Sequence, residues 1–456
     1  MSARQTEGYL DYLLRSTVVG LVIGSLMCFS NMYFSLQTGC ISMMSLQASL
    51  LGFAIFKPCH VSFGPKENVY LQTVAVATAT MPLAAGFVGI VPALSQLTTS
   101  DLSTGPLKLP AWKLIVWSLG LAFTGVFFAI PLRKQTIIRE KLRFPSEQHE
   151  NLLQVNLDTG WEESNSPENI DVIPEEDLPQ DRQVPIYVAV LGLLGSIILC
   201  VTIVKIVFGS NMMPAWMTVV SVVLAMFLSI LSARALGETD LNPVSGISKL
   251  SQIAASALIP GAIVANLFAG GIAEASAQQA GDLMQDLKTG YLLHASPKAQ
   301  FYGQLVGSLV SSFVATGAYL LYTSVYEIPG PEFPAPTAQF VVAFAVLFFI
   351  LTVVKENKKV TWHQWVPQGI AFAIGIYSPP SFTLAKVVGG FICHYWEKFI
   401  NGDQTTPNKA WLMDVCKPYK KIGKVSIIII ASRFVLGEGT FAVVSILLHA
   451  LHFPHI

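Results

Sequence analysis

The chain has 456 residues, 52% of them hydrophobic and only 12% charged, with a formal net charge of zero at pH 7 and a mean hydropathy of +0.56. Soluble domains carry about 25% charged residues, so half of the usual water-facing charge is missing, and the neutral balance gives nucleic acid nothing to attract. The six cysteines (Cys28, Cys40, Cys59, Cys200, Cys393 and Cys416) are scattered and form no CxxC pair, which favours isolated thiols over a disulfide or metal framework.

Apolar runs of roughly 20 residues, long enough to cross a bilayer, recur along nearly the whole length. The short alternating segments of a membrane barrel do not. The expected fold is all-α: a polytopic transmembrane helical bundle with broken or re-entrant segments. The polar start MSARQTEGYLDYLLR leads into an apolar run without a small-residue cleavage pattern, so the first helix is expected to stay as an anchor. Crossings are expected near 16–37, 41–56, 69–94, 113–130, 185–208, 214–236, 300–322, 336–354, 365–378, 382–399 and 425–451.

Basic residues in short loops set the orientation. PLRKQTIIREKLR holds Arg133, Lys134, Arg139, Lys141 and Arg143, which assigns that loop to the cytoplasm. Counting crossings then puts the N-terminus, Arg234, Lys288, Lys298 and the KENKK run at 355–359 on the same side. Both ends of 240–280 fall there too, so that segment crosses an even number of times or dips in and returns, with Pro260-Gly261 as the break. Irregular backbone at membrane depth is tolerated only when buried in protein or lining a wet cavity.

Three regions follow: N-terminal transmembrane helices over 1–130, an acidic cytoplasmic linker over 131–184, and a C-terminal transmembrane region over 185–456. The linker holds eleven acids and no Lys or Arg between Glu147 and Asp181, a composition too polar to build a core.

The stretch AGGIAEASAQQAGDLMQDLKTGYL at 269–292 carries unusual polarity for such a chain. On a helix, Glu274, Gln278, Asp282 and Gln285 fall within an arc of about 80°, and Asp286 extends it by about 40°. The intervening positions are mostly small, which lets helices approach closely in lipid. A charge at the bilayer centre costs at least about 2.5–3.5 kcal/mol, so acids on one face imply water, cations or partners there. Asp286 and Lys288 have an equal alternative as a helix end emerging into water. GETDLNPVSGISKLSQ at 237–252 gathers Asn242 with helix-breaking Pro243 and Gly246; a half-helix starting there would suit an anion, and an ordinary capped turn explains it equally well. In PKENVYLQTVAVATATMP, Glu67 and Gln72 head a polar helix, of which Gln72 is the better pathway candidate. Arg433 and Glu438 interrupt the last apolar run at a spacing that faces them poorly on one helix.

Several strings resemble the oligopeptide transporter family, especially its yellow-stripe-like branch and the fungal and prokaryotic relatives. They are FSNMYFSLQTGCISMMSLQASLLGFAIFK, PKENVYLQTVAVATATMPLAAGFVGIVPAL, LNPVSG and GDLMQDLKTGYLLHASPKAQFYGQLVGS. The resemblance implies a proton-coupled secondary transporter, a symporter rather than an enzyme, that moves small peptides or metal–chelator complexes across a plasma, vacuolar or other endomembrane. It touches Lys66, Glu67, Asn68, Gln72, Asn242, Pro243, Asp282, Gln285, Asp286 and Lys288 without assigning each a role. No resident cofactor or metal site is expected; any metal would arrive already bound to a chelator. The partners are the lipid bilayer, the cargo and protons, and the oligomeric state is left open.

One departure stands out. After KLRFPS the family continues with further helices, whereas this chain passes directly into the acidic linker. A shortened, non-transporting member is therefore an alternative reading. An intramembrane aspartyl protease is a remoter one, because QAGD lacks the glycine-any-glycine-aspartate pattern and no YD partner appears in an apolar run.

Overall fold

The computed structural model describes residues 3–38, 41, 43–57, 63–99, 105–144, 178–326, 346–348, 350–351, 380–400 and 425–450. The described residues form helices and no strand. In chain order these are α1 (Ala3–Thr38), α2 (Ser45–Phe56), α3 (Pro65–Ala79), α4 (Met81–Ala84), α5 (Ile90–Ser95), α6 (Ala111–Leu121), α7 (Thr124–Arg133), α8 (Ile186–Phe208), α9 (Ala215–Thr239), α10 (Val244–Leu258), α11 (Ile263–Leu292), α12 (Pro297–Val325), α13 (Pro380–Ile400) and α14 (Val425–Ala450). Among the described residues, six stretches are long and apolar enough to cross a membrane: Leu13–Leu36, Ala111–Arg139, Gln180–Phe208, Ala215–Thr239, Pro297–Val325 and Ile429–Ile446. Most of the expected crossings at 336–354 and 365–378 lie outside the described residues.

Local chemistry sets the ends. Proline opens α3 and α12 at positions where its missing N–H is no loss. The Ser296 hydroxyl caps α12 by accepting from the Ala299 amide. Asp240 in the left-handed region closes α9. Gly261, at φ +81°, makes the turn between α10 and α11, a backbone shape that suits glycine. These two helices then pack side by side, Ser251 donating to the Ala269 carbonyl at 2.9 Å. Residues 244–292 thus form a helical hairpin with its break at Pro260-Gly261.

Two expected crossings are not continuous. The 69–94 run divides into α3, α4 and α5, and the 113–130 run divides into α6 and α7 with a break at Ala122-Phe123. Both breaks are held by side chains from elsewhere. The Trp117 indole donates to the Ala85 carbonyl at 2.9 Å, and Trp117 sits in an aromatic cluster with Phe208 and Phe268 at centroid distances of 5.4 and 5.3 Å.

The distribution of polarity is inverted relative to a soluble protein. Ile186, Tyr187, Val190, Leu191, Leu194 and Ile198 on α8 are exposed, whereas most of α11, acids included, is buried. Lipid is as apolar as leucine, so association rests on close packing and polar links between helices. That is what α11 supplies, packing against α3, α7, α9 and α10.

The helix α2 is short, and its start lies deep. It runs antiparallel to α3: the Ser49 hydroxyl donates to Gln72 Oε1 at 2.9 Å and Asn68 donates to the Ser49 carbonyl at 3.2 Å. Just before α2, Met44 shares an apolar cluster with Ile23, Ala75 and Ala79, on the part of α3 against which Gly24 packs. Gly24 is the middle of the Leu13–Leu36 span. The N-terminus of α2 therefore sits at mid-span.

One end of the bundle collects many of the basic residues, whereas Lys113 and Lys205 lie at the other. Lys288 donates to the Leu142 carbonyl at 2.9 Å, the Phe144 amide bonds to the Gly237 carbonyl, and Arg234 pairs with Glu140 at 3.0 Å. Arg15 lies at the same end, because the start of α3 meets the end of α11 through Gln72 and Asp286.

Candidate functional site: the polar face of α11

α11 has 30 residues, about 45 Å at 1.5 Å per residue. Glu274, Gln278, Asp282, Gln285 and Asp286 are all buried on it. The predicted stripe is thus a real feature of one helix, enclosed by its neighbours.

Each residue has its own surroundings. Glu274 lies near the Ser248 hydroxyl and the Lys249 ammonium of α10. Gln278 donates from Nε2 to Asp282 Oδ1 at 2.5 Å and to the Met43 sulfur at 3.4 Å. Asp282 is fully buried, has Thr80 beside it, and leaves its Oδ2 without a hydrogen bond among the described residues. Asp286 Oδ1 accepts from Gln72 Nε2 at 2.9 Å, and Gln300 Nε2 donates to the Asp286 carbonyl at 2.7 Å. These bonds link Ser49, Gln72, Asp286 and Gln300 across four helices. Gln285 sits between the two aspartates along the chain, its carbonyl accepting from Thr289.

Asn242 reaches the same helix. Its Oδ1 accepts from the Ser232 hydroxyl, and its amide lies where a β-carbon on Gly281 would stand, 2.5 Å away. A side chain at 281 would push the Asn242 amide aside. The residue Glu67 is set apart from the stripe. Arg15 grips it bidentately at 2.7 and 2.6 Å and Ser16 donates to it at 2.5 Å, so it clamps α1 to α3. Lys288 faces the Leu142 loop and the Tyr291 ring, 5.9 Å from its centroid. Arg433 and Glu438 are both exposed on α14.

Gln279 was not among the expected site residues, yet it builds the scaffold behind them. A continuous α6–α7 helix would bond the Gly125 amide to the Leu121 carbonyl. Instead the Gly125 amide donates to Gln279 Oε1 at 3.2 Å, and Gln279 Nε2 donates to the Leu121 carbonyl at 2.9 Å. The side-chain amide is inserted into the helical ladder and satisfies both freed groups. Its only sequence signal is a second glutamine beside Gln278, which does not reveal the partner helix.

No group of three or more His, Cys, Asp or Glu with metal-binding arrangement occurs among the described residues. The face offers three carboxylates and neutral amides, an arrangement suited to hydrogen-bonding cargo and to exchanging protons.

Buried acids inside a bundle of long helices with exposed apolar faces fit a polytopic membrane protein. The chain belongs to the family described as OPT oligopeptide transporter protein, whose model matches residues 13–163 and 155–449. It is similar to a Saccharomyces cerevisiae protein named "Putative oligopeptide transporter YGL114W", 28% identical over an alignment 716 positions long that takes in 97% of this chain and 96% of the relative. It is also similar to the rice protein "Probable metal-nicotianamine transporter YSL6", 25% identical over 254 residues, and to the Arabidopsis thaliana protein "Probable metal-nicotianamine transporter YSL8", 28% identical over 208. These matches cover 49% and 40% of this chain, and only 37% and 29% of the two plant proteins. The yeast alignment is much longer than this 456-residue chain, so much of that relative faces a gap here. The two family matches meet at 155–163, inside the acidic stretch.

Proposed function

We propose that the chain is a secondary active, proton-coupled transporter of small oligopeptides or metal–chelate complexes. The observation that carries this reading is the stripe Glu274, Gln278, Asp282 and Gln285 on one arc of a buried helix. The names of the yeast and plant relatives supply the two cargo classes. Glu274 or Asp282 serves as the titrating carboxylate, and Gln72, Asn242 and Gln278 offer neutral hydrogen bonds to amide or carboxylate groups of the cargo. Gln285 and Asp286 border that path, and Glu67 lies apart from it, clamped by Arg15. The basic end of the bundle, with the N-terminus, faces the cytoplasm in keeping with the positive-inside rule. Nothing in this reading calls for bond-making chemistry.

Uptake by the purified chain in liposomes, driven by an imposed pH gradient, tests this. Glu274→Gln should lose at least tenfold of the gradient-driven rate while inserting normally, because a fixed amide neither takes up nor releases the coupled proton. A rate that keeps its proton dependence in Glu274→Gln removes that residue from the mechanism and leaves Asp282 as the coupling acid. The gap relative to the yeast protein favours a second reading, a shortened member that inserts without transporting. Absence of uptake by the wild-type chain for both cargo classes would support it.

A further inference from the structure

We propose that the N-terminus of α2 and the Asp282 carboxylate are the two poles of a subsite for a zwitterionic, amino-acid-like end of the cargo. The carboxylate of that end would sit on the α2 amides and its ammonium on Asp282. This inference rests on the transporter reading and specifies its cargo.

The first pole is a helix end at mid-span. In α2 the first backbone bond closed is the Ala48 amide to the Met44 carbonyl. The amides of Ser45, Leu46 and Gln47 have no partner within the helix. Met44 at the N-cap supplies no side-chain hydrogen bond to that end and stands in the left-handed region at φ +55°. Free amides and the positive end of the helix dipole attract an anion.

The second pole is independent of that helix. Asp282 is fully buried, with one oxygen bonded to Gln278 and the other lacking a hydrogen bond among the described residues. An orphaned carboxylate oxygen at this depth is costly, and a cationic donor is the group that satisfies it best. The two poles are joined physically. The Gln278 amide touches both Asp282 and Met43, which lies two residues before α2.

The chemistry then selects the ligand. An anion alone would meet Asp282, and a cation alone would meet the positive helix end. A molecule carrying both charges a few ångströms apart, as at the end of an amino acid or of a peptide folded on itself, satisfies the two poles together and enters without net charge. Gln278 between them suits the amide or carbon chain that links the two groups. A short peptide presents the two groups only when its opposite termini are brought together, whereas a chelator built from amino-acid units presents them at one end.

Binding to the full chain in nanodiscs tests this with three probes: dialanine, N-acetyl-dialanine and dialanine amide. The free dipeptide should bind at least tenfold tighter than either blocked form. Asp282→Asn should weaken dialanine at least tenfold and leave the N-acetylated probe within twofold. Ser45→Asp should weaken dialanine and its N-acetyl form while sparing the amide. That variant places an acid in the first turn of α2, where it favours the helix, so its fold is safeguarded. Asp282→Glu keeps the charge and should recover part of the affinity. If dialanine binds but Asp282→Asn weakens free and acetylated forms alike, or Ser45→Asp has no effect, the subsite is overturned and the transporter reading survives. If wild-type protein binds none of the peptides yet takes up a metal chelate lacking an ammonium group, the subsite is likewise overturned. Neither binding nor uptake of any cargo overturns both.

Discussion

Gly125→Ala is expected to cost about 3 kcal/mol, the upper end of the usual range for overpacking, and to lower the apparent melting temperature of the purified protein accordingly. A β-carbon at position 125 would overlap the Ser276 carbonyl oxygen and stand 2.8 Å from Gln279 Cβ. Both obstacles belong to α11, one of them to its backbone, so relief requires α7 and α11 to move apart. That movement also stretches the bonds by which Gln279 bridges the Gly125 amide and the Leu121 carbonyl. The polar stripe sits on the same turns of α11, so uptake should fall with stability. A Gly125→Ala protein that melts within a degree of wild type would refute the close approach of these helices.

Arg15→Met is the second large effect. Glu67 is 2% exposed, whereas Arg15 is 33% exposed. Removing the arginine leaves a buried carboxylate with only the Ser16 hydroxyl, and breaking such a pair typically costs about 3–5 kcal/mol. The partial exposure of Arg15 puts the expected loss at about 3 kcal/mol. Neutralising both members, as Arg15→Met with Glu67→Gln, should recover at least about 1 kcal/mol, since the double variant no longer buries a lone charge. Thermal unfolding of the three variants against wild type closes the cycle. Equal destabilisation by the single and double variants would mean that Arg15 acts by packing alone.

Much of this architecture was legible in the residues. Composition and apolar runs of about 20 residues specify a helical membrane protein, and the spacing of Glu274, Gln278, Asp282 and Gln285 places them on one face of a helix. The hairpin break at Pro260-Gly261 was readable from the two residues that make it. The break in 113–130 was not. Its cause is Gln279, a residue 154 positions from Gly125, and no local pattern near Ala122-Phe123 reports a partner that distant. The role of Glu67 was hidden for the same reason. A buried acid in a membrane protein reads as a pathway group until its partner is known, and Arg15 lies 52 positions away. The depth at which α2 begins also escaped the sequence, because hydropathy marks 41–56 as apolar without giving the level at which the helix starts.

The central claim is that the stripe on α11 borders a pathway reached by water, while Gln279, about 60° round the helix from Asp282, is packed shut in the α6–α7 break. Thiol labelling in intact membranes tests it most directly. Single cysteines would replace Glu274, Gln278, Asp282 and Gln279 in a cysteine-free version of the full chain, to be probed with a hydrophilic, membrane-impermeant reagent from each side. The account predicts modification at 274, 278 and 282, slowed by cargo, and none at 279, where the side chain lies in the α6–α7 break. Four positions equally inert from both sides, in protein that melts normally, would contradict it.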